Sequence, residues 1–341
     1  MSRSQESYYS TDKIKEMKSV VNQYHASEFT RPSFYLITTF LGILAVLYLI
    51  IYNKKNKIPL TASIILLALF LLRLFMIFHD MCHRSYFPST ERKTNTNGLN
   101  FIIAQCIEGF NLFEASHWNK IHSAHHKAHG NLNLYDSTRT VFSSEEYNKM
   151  PQYKRVLYDV FRNPILFFLF GPLYIFWICK FLNHEWSFLL KYSICLGLLY
   201  RVGSCKLLFA FLAAQYFATI LGLMLFHLQH QVNVGFWERF PKEDELSKDN
   251  AELRGSSVLK IPWGLDYFSN GIEYHNVHHL DPGVPSYNTR ACYDDLVARG
   301  MIPDRKIGYV QAFKSLFHVI YNEKTKRYES SSFFKSIGLQ G

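Results

Sequence analysis

The sequence predicts an all-α integral membrane fold: four transmembrane helices in two hairpins, with a helical cap on the cytosolic side that carries three histidine clusters. Three observations lead there. Apolar runs nearly free of charge alternate with polar segments, which leaves the mean hydropathy near zero. Aromatic residues make up 16 % and charged residues only 19 % of the 341, a bias toward lipid-facing surface. Twelve of the fifteen histidines fall in four places, each in a polar stretch or at the exit of an apolar run.

Residues 1–33 are polar and of mixed charge, with a short helix expected around residues 12–24. They contain no apolar h-region, so no cleavable signal peptide is expected. The runs 34–52 and 59–78 are long enough to cross about 30 Å of hydrocarbon; only Arg73 interrupts the second, near its end. The Lys54-Lys55-Asn56-Lys57 connection makes them a hairpin, and His79 and His83 follow directly. Residues 99–115 are moderately apolar but hold Gln105, Glu108 and Asn111. A helix in the interface or packed under a site fits them better than a span. Next come His117, His122, His125, His126 and His129, then three apolar runs, 164–182, 186–202 and 206–226, the last leading into His227 and His230. Residues 235–341 are polar and contain His275, His278 and His279. The expected organisation is an N-terminal segment (1–33), one membrane domain (34–328) and a C-terminal tail (329–341).

If all clusters share one site, an even number of crossings separates His126 from His230. The second hairpin is therefore placed at 186–202 and 206–226, turning at Gly203-Ser204, with 164–182 interfacial because Pro164, Gly171 and Pro172 break it. Of the 37 Lys and Arg, 5 precede Phe34, 10 lie between Asp80 and Asn163 and 14 follow Phe226, all on the histidine side. That places the histidine face in the cytosol, although the short Lys54-Lys57 loop points the other way. The net charge of +10 suits a membrane surface or an acidic partner. Nucleic acid is disfavoured because the cations are spread thinly. Six cysteines without CxxC spacing are expected to be reduced thiols, those in apolar stretches (Cys106, Cys179, Cys195, Cys205) buried. Trp118, Trp177, Trp186 and Trp263 read as interface anchors or packing.

Two of the clusters, 122/125/126 and 275/278/279, repeat the spacing i, i+3, i+4, and 79/83 is i, i+4, so on helices each set shares one face. Neutral imidazole is the commonest metal ligand. Eight or nine converging histidines are too many for one zinc, which takes about four protein ligands. They suit two six-coordinate first-row ions with positions left open for a small ligand. Iron held by imidazole keeps its ferrous state accessible and can meet dioxygen. No nucleophile elbow, Walker motif or dinucleotide fingerprint competes.

His79-Asp80-Met81-Cys82-His83-Arg84-Ser85-Tyr86-Phe87 resembles the first histidine box of membrane fatty acid desaturases. Trp118-Asn119-Lys120-Ile121-His122-Ser123-Ala124-His125-His126, with Asn131 beyond, resembles their second box. Gln229-His230 is similar to the extra histidine after their last span. Gly255-Ser256-Ser257, Asn270 through Leu280 and Pro285-Ser286-Tyr287-Asn288 are similar to the third-box region of the acyl-lipid Δ12 (omega-6) branch. The resemblance covers roughly residues 35 to 295, in the right order. Met81-Cys82 departs from the Cys-Gly common in that branch, and His227 stands where relatives usually carry another residue.

The resemblance implies an oxygen-dependent fatty acyl desaturase that inserts a cis double bond into a lipid acyl chain at two iron ions, with O2 as co-substrate. It implies His79, His83, His122, His125, His126, His230, His275, His278 and His279 as metal ligands and no further catalytic side chain. His227 is a competitor of His230, while His117 and His129 are read as supporting or surface groups. Asp80, Glu108, Glu114, Asn270 and Asp281 are candidates to orient imidazole N–H groups or simply to cap helices. The His-Pro-Gly-Gly word of a fused cytochrome b5 domain is missing, so electrons are expected from a separate donor of cytochrome b5 or ferredoxin type. Its membrane would be the endoplasmic reticulum in a eukaryote or the cytoplasmic membrane in a bacterium. Hydroxylases, acetylenases, and sphingolipid- and carotenoid-modifying enzymes of the superfamily share the boxes. A histidine-rich membrane metal transporter is the alternative from another class, but it would carry its ligands inside the spans.

Overall fold

A computed structural model describes residues 8–26, 28–53, 58–88, 98–136, 141–230, 232, 237–336 and 338, with the side chains of residues 176, 177 and 336 excepted. The Lys54-Lys57 connection and the Trp177 side chain lie outside the described residues.

Helices α2 (Thr30–Tyr52) and α3 (Leu60–Cys82) have 23 residues each, about 34 Å of helix. On α2, Thr39, Ile43, Val46 and Ile50 turn inward, while Phe34, Ile37, Leu41, Leu44 and Tyr48 form an exposed apolar stripe. That one-sided pattern is a helix buried against protein on one face and bare on the other. Helix α3 is the central post, packing against α2, α4 (Leu99–Asn111), the long helix α10 (Trp186–His230) and the cap. Arg73 is buried at its cap end: Nε donates to Thr39 Oγ1 at 2.9 Å, the guanidinium donates to the Tyr267 carbonyl and it lies 4.0 Å from the Tyr267 ring centre. A charge in an apolar run thus acts as a bolt between two spans and the cap.

Between α4 and α10 the chain forms α5 (Ala115–Ala128), α6 (Ser144–Lys149), α7 (Gln152–Phe161), α8 (Pro164–Leu173), a π-helical turn at Tyr174–Ile178 and α9 (Cys179–Leu182). Helix α7 meets α8 at 82°. Helix α10 (Trp186–His230) is continuous by hydrogen bonding but breaks at Ser204, whose φ is 60° and ψ −168°. The Tyr192 hydroxyl donates to Gln215 Oε1 at 2.6 Å. In a straight helix these residues would stand about 35 Å apart, so α10 folds back on itself. The fold lies at Gly203-Ser204, midway between the bonded pair, where the sequence placed the turn of the second hairpin. Phe188, Tyr192, Leu212 and Tyr216 pack between the limbs. By length and composition α2, α3 and α10 can cross a membrane, and the bent α7–α8 pair adds one more if it counts as a span.

The cap is α1 (Thr11–Val21), α11 (Glu245–Gly255), α12 (Asp266–Ser269), α13 (His275–Leu280), α14 (Ser286–Ala298) and α15 (Tyr309–Ser315). Ser10 caps α1, accepting from the Lys13 amide at 3.3 Å. Ile14, Met17, Val20 and Val21 of α1 are buried against Leu253, Val277, Leu280, Tyr293 and Leu296, a contribution of about 1.5–3 kcal/mol for each large side chain. The polar N-terminal segment is therefore part of the cap. A small three-stranded sheet departs from the all-α expectation: β1 (Phe142–Ser143) runs parallel to β2 (Ile320–Asn322), which pairs antiparallel with β3 (Arg327–Glu329). Such short strands carry no periodicity to read. The last helix, α16 (Ser332–Ser336), buries Phe334 against Tyr147, Val319 and Ile320, so the expected tail is partly docked. All six cysteines are free, but Cys106 and Cys205 are exposed on outer helix faces rather than buried.

One turn sets the approach of α13. Asn270 and Gly271 adopt φ of 55° and 92°, and a Cβ on Gly271 would run into the Ser286 carbonyl. Thr289 Oγ1 donates to the Gly271 carbonyl at 2.6 Å, closing that contact. Gly271→Ala is expected to cost at least about 1–3 kcal/mol in backbone strain alone. The thermal midpoint of the detergent-solubilised protein should fall by several degrees, and an unchanged midpoint would show that this contact relaxes freely.

Candidate metal centre

The first box sits on the last turn of α3 and its C-cap, the second on α5, the extra histidine on the last residue of α10, and the third box is α13. These four elements converge at the cap ends of α3 and α10. Their histidines assemble as two groups of four whose ring nitrogens lie within 4.8 Å of one another: His79, His83, His122 and His278, and His125, His129, His230 and His279. His126 Nε2 lies 3.2 Å from His122 Nε2 and 3.1 Å from His278 Nε2. His79 Nε2 is 3.0 Å from His122 Nε2. His275 Nε2 is 2.9 Å from His230 Nε2, so His275 borders the second group.

All nine histidines read from the sequence as ligands are thus in one cluster. His129, read as a supporting or surface group, stands among them with no exposed surface. His117 does not: its side chain is 30 % exposed and faces Glu185 at 3.8 Å. His227 Nε2 donates to the Ser315 carbonyl at 3.0 Å, outside both groups.

The donor chemistry fits metal ions. Two nitrogens held at about 2.1 Å from one ion, at right angles, stand about 3.0 Å apart, close to the separations found here. A hydrogen-bonded chain of four Nε2 atoms would have to share single protons between neighbours, whereas cations accept every lone pair at once. Among the described residues His83 Nε2, His230 Nδ1, His275 Nδ1 and both nitrogens of His279 are buried without a hydrogen-bond partner, costly unless a ligand takes them up. Burial, reinforced by the neighbouring imidazoles, holds His83, His122, His126, His129, His275, His278 and His279 well below the ordinary histidine range. They are neutral near pH 7, with lone pairs available.

Carboxylates aim two of the rings. His79 Nδ1 lies 3.1 Å from Asp80 Oδ1 and His125 Nδ1 lies 2.9 Å from Asp136 Oδ2. With Nδ1–H donating outward, each Nε2 keeps its lone pair for the centre. Asp136 lies ten residues past the box and has no motif to mark it. The Asp80 Oδ2 accepts from the Ser286 amide at 2.7 Å and its hydroxyl at 2.6 Å. The Pro285-Ser286-Tyr287-Asn288 word is therefore a clasp on the first box. Tyr287 Oη donates to the Tyr86 carbonyl and Asn288 Nδ2 to the Tyr24 carbonyl, both at 2.8 Å. Gln229 acts in a similar way, donating to the Ile272 carbonyl while its own backbone carbonyl accepts from the Ser257 amide.

The other acidic candidates do different work. Glu108 accepts from the Ala115 amide at the start of α5 and pairs with Lys191 at 2.7 Å. Glu114 accepts from Ser116, and Asn270 donates to Ser286. Asp281 does face an imidazole, but that of His25 in the N-terminal segment, at 2.8 Å. Glu252 was not legible from sequence as a site residue: on α11 and only 6 % exposed, it approaches His126 and His279. Burial pushes its carboxyl up to about 8. Trp118 is packing, stacked on Phe75 and 4.1 Å from the His122 ring centre, while Trp186 and Trp263 are exposed.

Comparison with known proteins agrees with this geometry. The pattern of the fatty acid desaturase family matches residues 57–313, which include every histidine of both groups. A fatty acid desaturase of Bacillus subtilis is 27 % identical over 338 residues, covering 95 % of this chain and 93 % of that protein. The sn-1 oleoyl-lipid 12-desaturase of Synechocystis sp. is 26 % identical over 275 residues, covering 75 % of this chain and 73 % of that protein. The chloroplastic omega-6 fatty acid desaturase of Arabidopsis thaliana is 26 % identical over 241 residues, covering 65 % of this chain and 50 % of that protein. With three histidine boxes converged at the ends of apolar helices and a family match across most of its length, the chain belongs to the fatty acid desaturase family.

Proposed function

We propose that the protein is an acyl-lipid desaturase of omega-6 (Δ12) type, in which the nine histidines first read as ligands, joined by His129, hold two iron ions. The observation that carries the reading is the pair of four-histidine groups. Two groups with carboxylate-oriented members supply more imidazole than one zinc takes, and suit two first-row ions with open positions. When bound, such a centre supplies the oxidising power, drawn from dioxygen and external electrons, that removes two vicinal hydrogens from an unactivated chain and leaves a cis double bond and water. The protein's own part is binding, orientation and exclusion of water. Asp80 and Asp136 hold ring tautomers, Trp118 and Phe75 wall the first group, and the apolar helices lead an acyl chain toward it.

The Δ12 assignment is supported by the Gly255-Ser256-Ser257 and Pro285-Asn288 words and by the kinship to oleoyl-lipid 12-desaturases and omega-6 desaturases. In this reading α2, α3 and the two limbs of α10 cross the bilayer as two hairpins and the histidine face is cytosolic, as the distribution of Lys and Arg favours. The exposed cations of that face suit an acidic electron donor of cytochrome b5 or ferredoxin type.

The deciding experiment is expression in a host lacking polyunsaturated lipids, with fatty acids profiled by mass spectrometry. A new cis double bond at the twelfth carbon is the expected product. A hydroxylated or carotenoid product without a new double bond would reject desaturation, and a double bond elsewhere would reject the Δ12 assignment. His278→Ala and His125→Ala should each abolish conversion while membrane insertion is retained, and turnover in either would remove that residue from the ligand set. His230→Ala should be far more damaging than His227→Ala, which loses one hydrogen bond to a carbonyl worth about 1 kcal/mol. Asp80→Asn should weaken metal binding about 10–100-fold, read as metal content after chelator challenge; unchanged retention would mean that Asp80 serves the Ser286 clasp alone.

A further inference from the structure

We infer that Glu252 is a ligand shared between the two metal positions, entering where the histidine groups meet. The inference rests on the two-ion reading above. A carboxylate oxygen of Glu252 and ring nitrogens of His126 and His279 lie within 4.8 Å of one another. His126 contacts His122 and His278 of one group through Nε2, while His279 is a member of the other. The carboxylate therefore reaches one nitrogen from each side, and its two oxygens can serve both.

Glu252 is 6 % exposed, and among the described residues no hydrogen bond or close ion pair involves it. The cations nearest along the chain and across it are turned elsewhere: Lys18 is bound to Asp249 at 2.7 Å and Lys248 stands 3.9 Å from Glu245. A carboxylate buried here is costly to ionise, and a cation held beside it would offset that cost. Its aim is also built in. Asn250 ties α11 to the segment just before α1 through two hydrogen bonds with the Tyr9 backbone, at 2.7 and 3.1 Å. Glu252, two residues on, points about 200° around the helix from Asn250, toward α13 and its histidines.

The chemistry follows from ligand type. Two divalent ions held by neutral imidazoles bring uncompensated charge into a buried site. One hard, anionic oxygen ligand between them lowers that repulsion and favours the higher oxidation state.

The test is titration of the metal-stripped full chain in detergent with Co(II), following visible absorption and bound metal per chain, for the wild type, Glu252→Gln and Glu252→Ala. The Gln variant keeps size and shape, which separates loss of a ligand from loss of fold. Two Co(II) ions are expected in the wild type, with the second bound at least about 10-fold more weakly in Glu252→Gln and an altered absorption band; Glu252→Ala should bind it no better. A wild type that binds two ions alongside variants with unchanged affinities and spectrum would overturn this inference and leave the di-iron reading standing. A wild type that binds fewer than two would overturn both.

Discussion

Burying ten imidazoles together is the constraint on which this protein depends. Each neutral ring carries one lone pair and one N–H, and within the cluster several have nothing to bond but one another. A buried polar atom left unsatisfied costs about 1–3 kcal/mol, so the rings can be gathered here only with firm packing around them. Metal ions that took up these lone pairs would offset that cost and would couple occupancy of the centre to the stability of the fold.

The surroundings are built accordingly. Three clasps converge on the cluster, two of them from distant parts of the chain. Ser286 holds Asp80 behind His79, Asp136 holds His125, and Gln229 ties the end of α10 to the segment that leads into α13. The N-terminal helix stands outside them and braces α11 and α13 through Asn250, Asp249 and the His25–Asp281 pair. A residue far from the ring nitrogens can therefore matter to them, because metal geometry tolerates little displacement.

The apolar helices set the other boundary. Their outward faces are bare hydrocarbon while their cap ends carry the polar machinery, with Arg73 marking the change on α3. The fold-back of α10 keeps its exit on the same face as that of α3. Four separate segments of chain can then present histidines to one small volume. The histidine cluster thus lies at the boundary between an apolar and a polar environment.

Much of this was legible in the sequence. Helical spacing of histidines reports a shared face directly, since the period of 3.6 is local geometry, and long apolar runs report spans because the backbone must satisfy itself in lipid. The turn at Gly203-Ser204, the convergence of nine histidines and the family followed from those local signals. Other features were not legible because they depend on contacts between distant segments. Asp136 and Glu252 are single carboxylates without a motif, His129 could be told from His117 only by which way α5 and its C-cap point, and Asp281 proved to face His25 rather than a box histidine. Sequence alone determined the histidine clusters and the layering of apolar and polar segments. Tertiary structure decided which rings gather into each group, which carboxylates aim them and what braces them, because burial and partner are properties of the packed chain and not of any stretch within it.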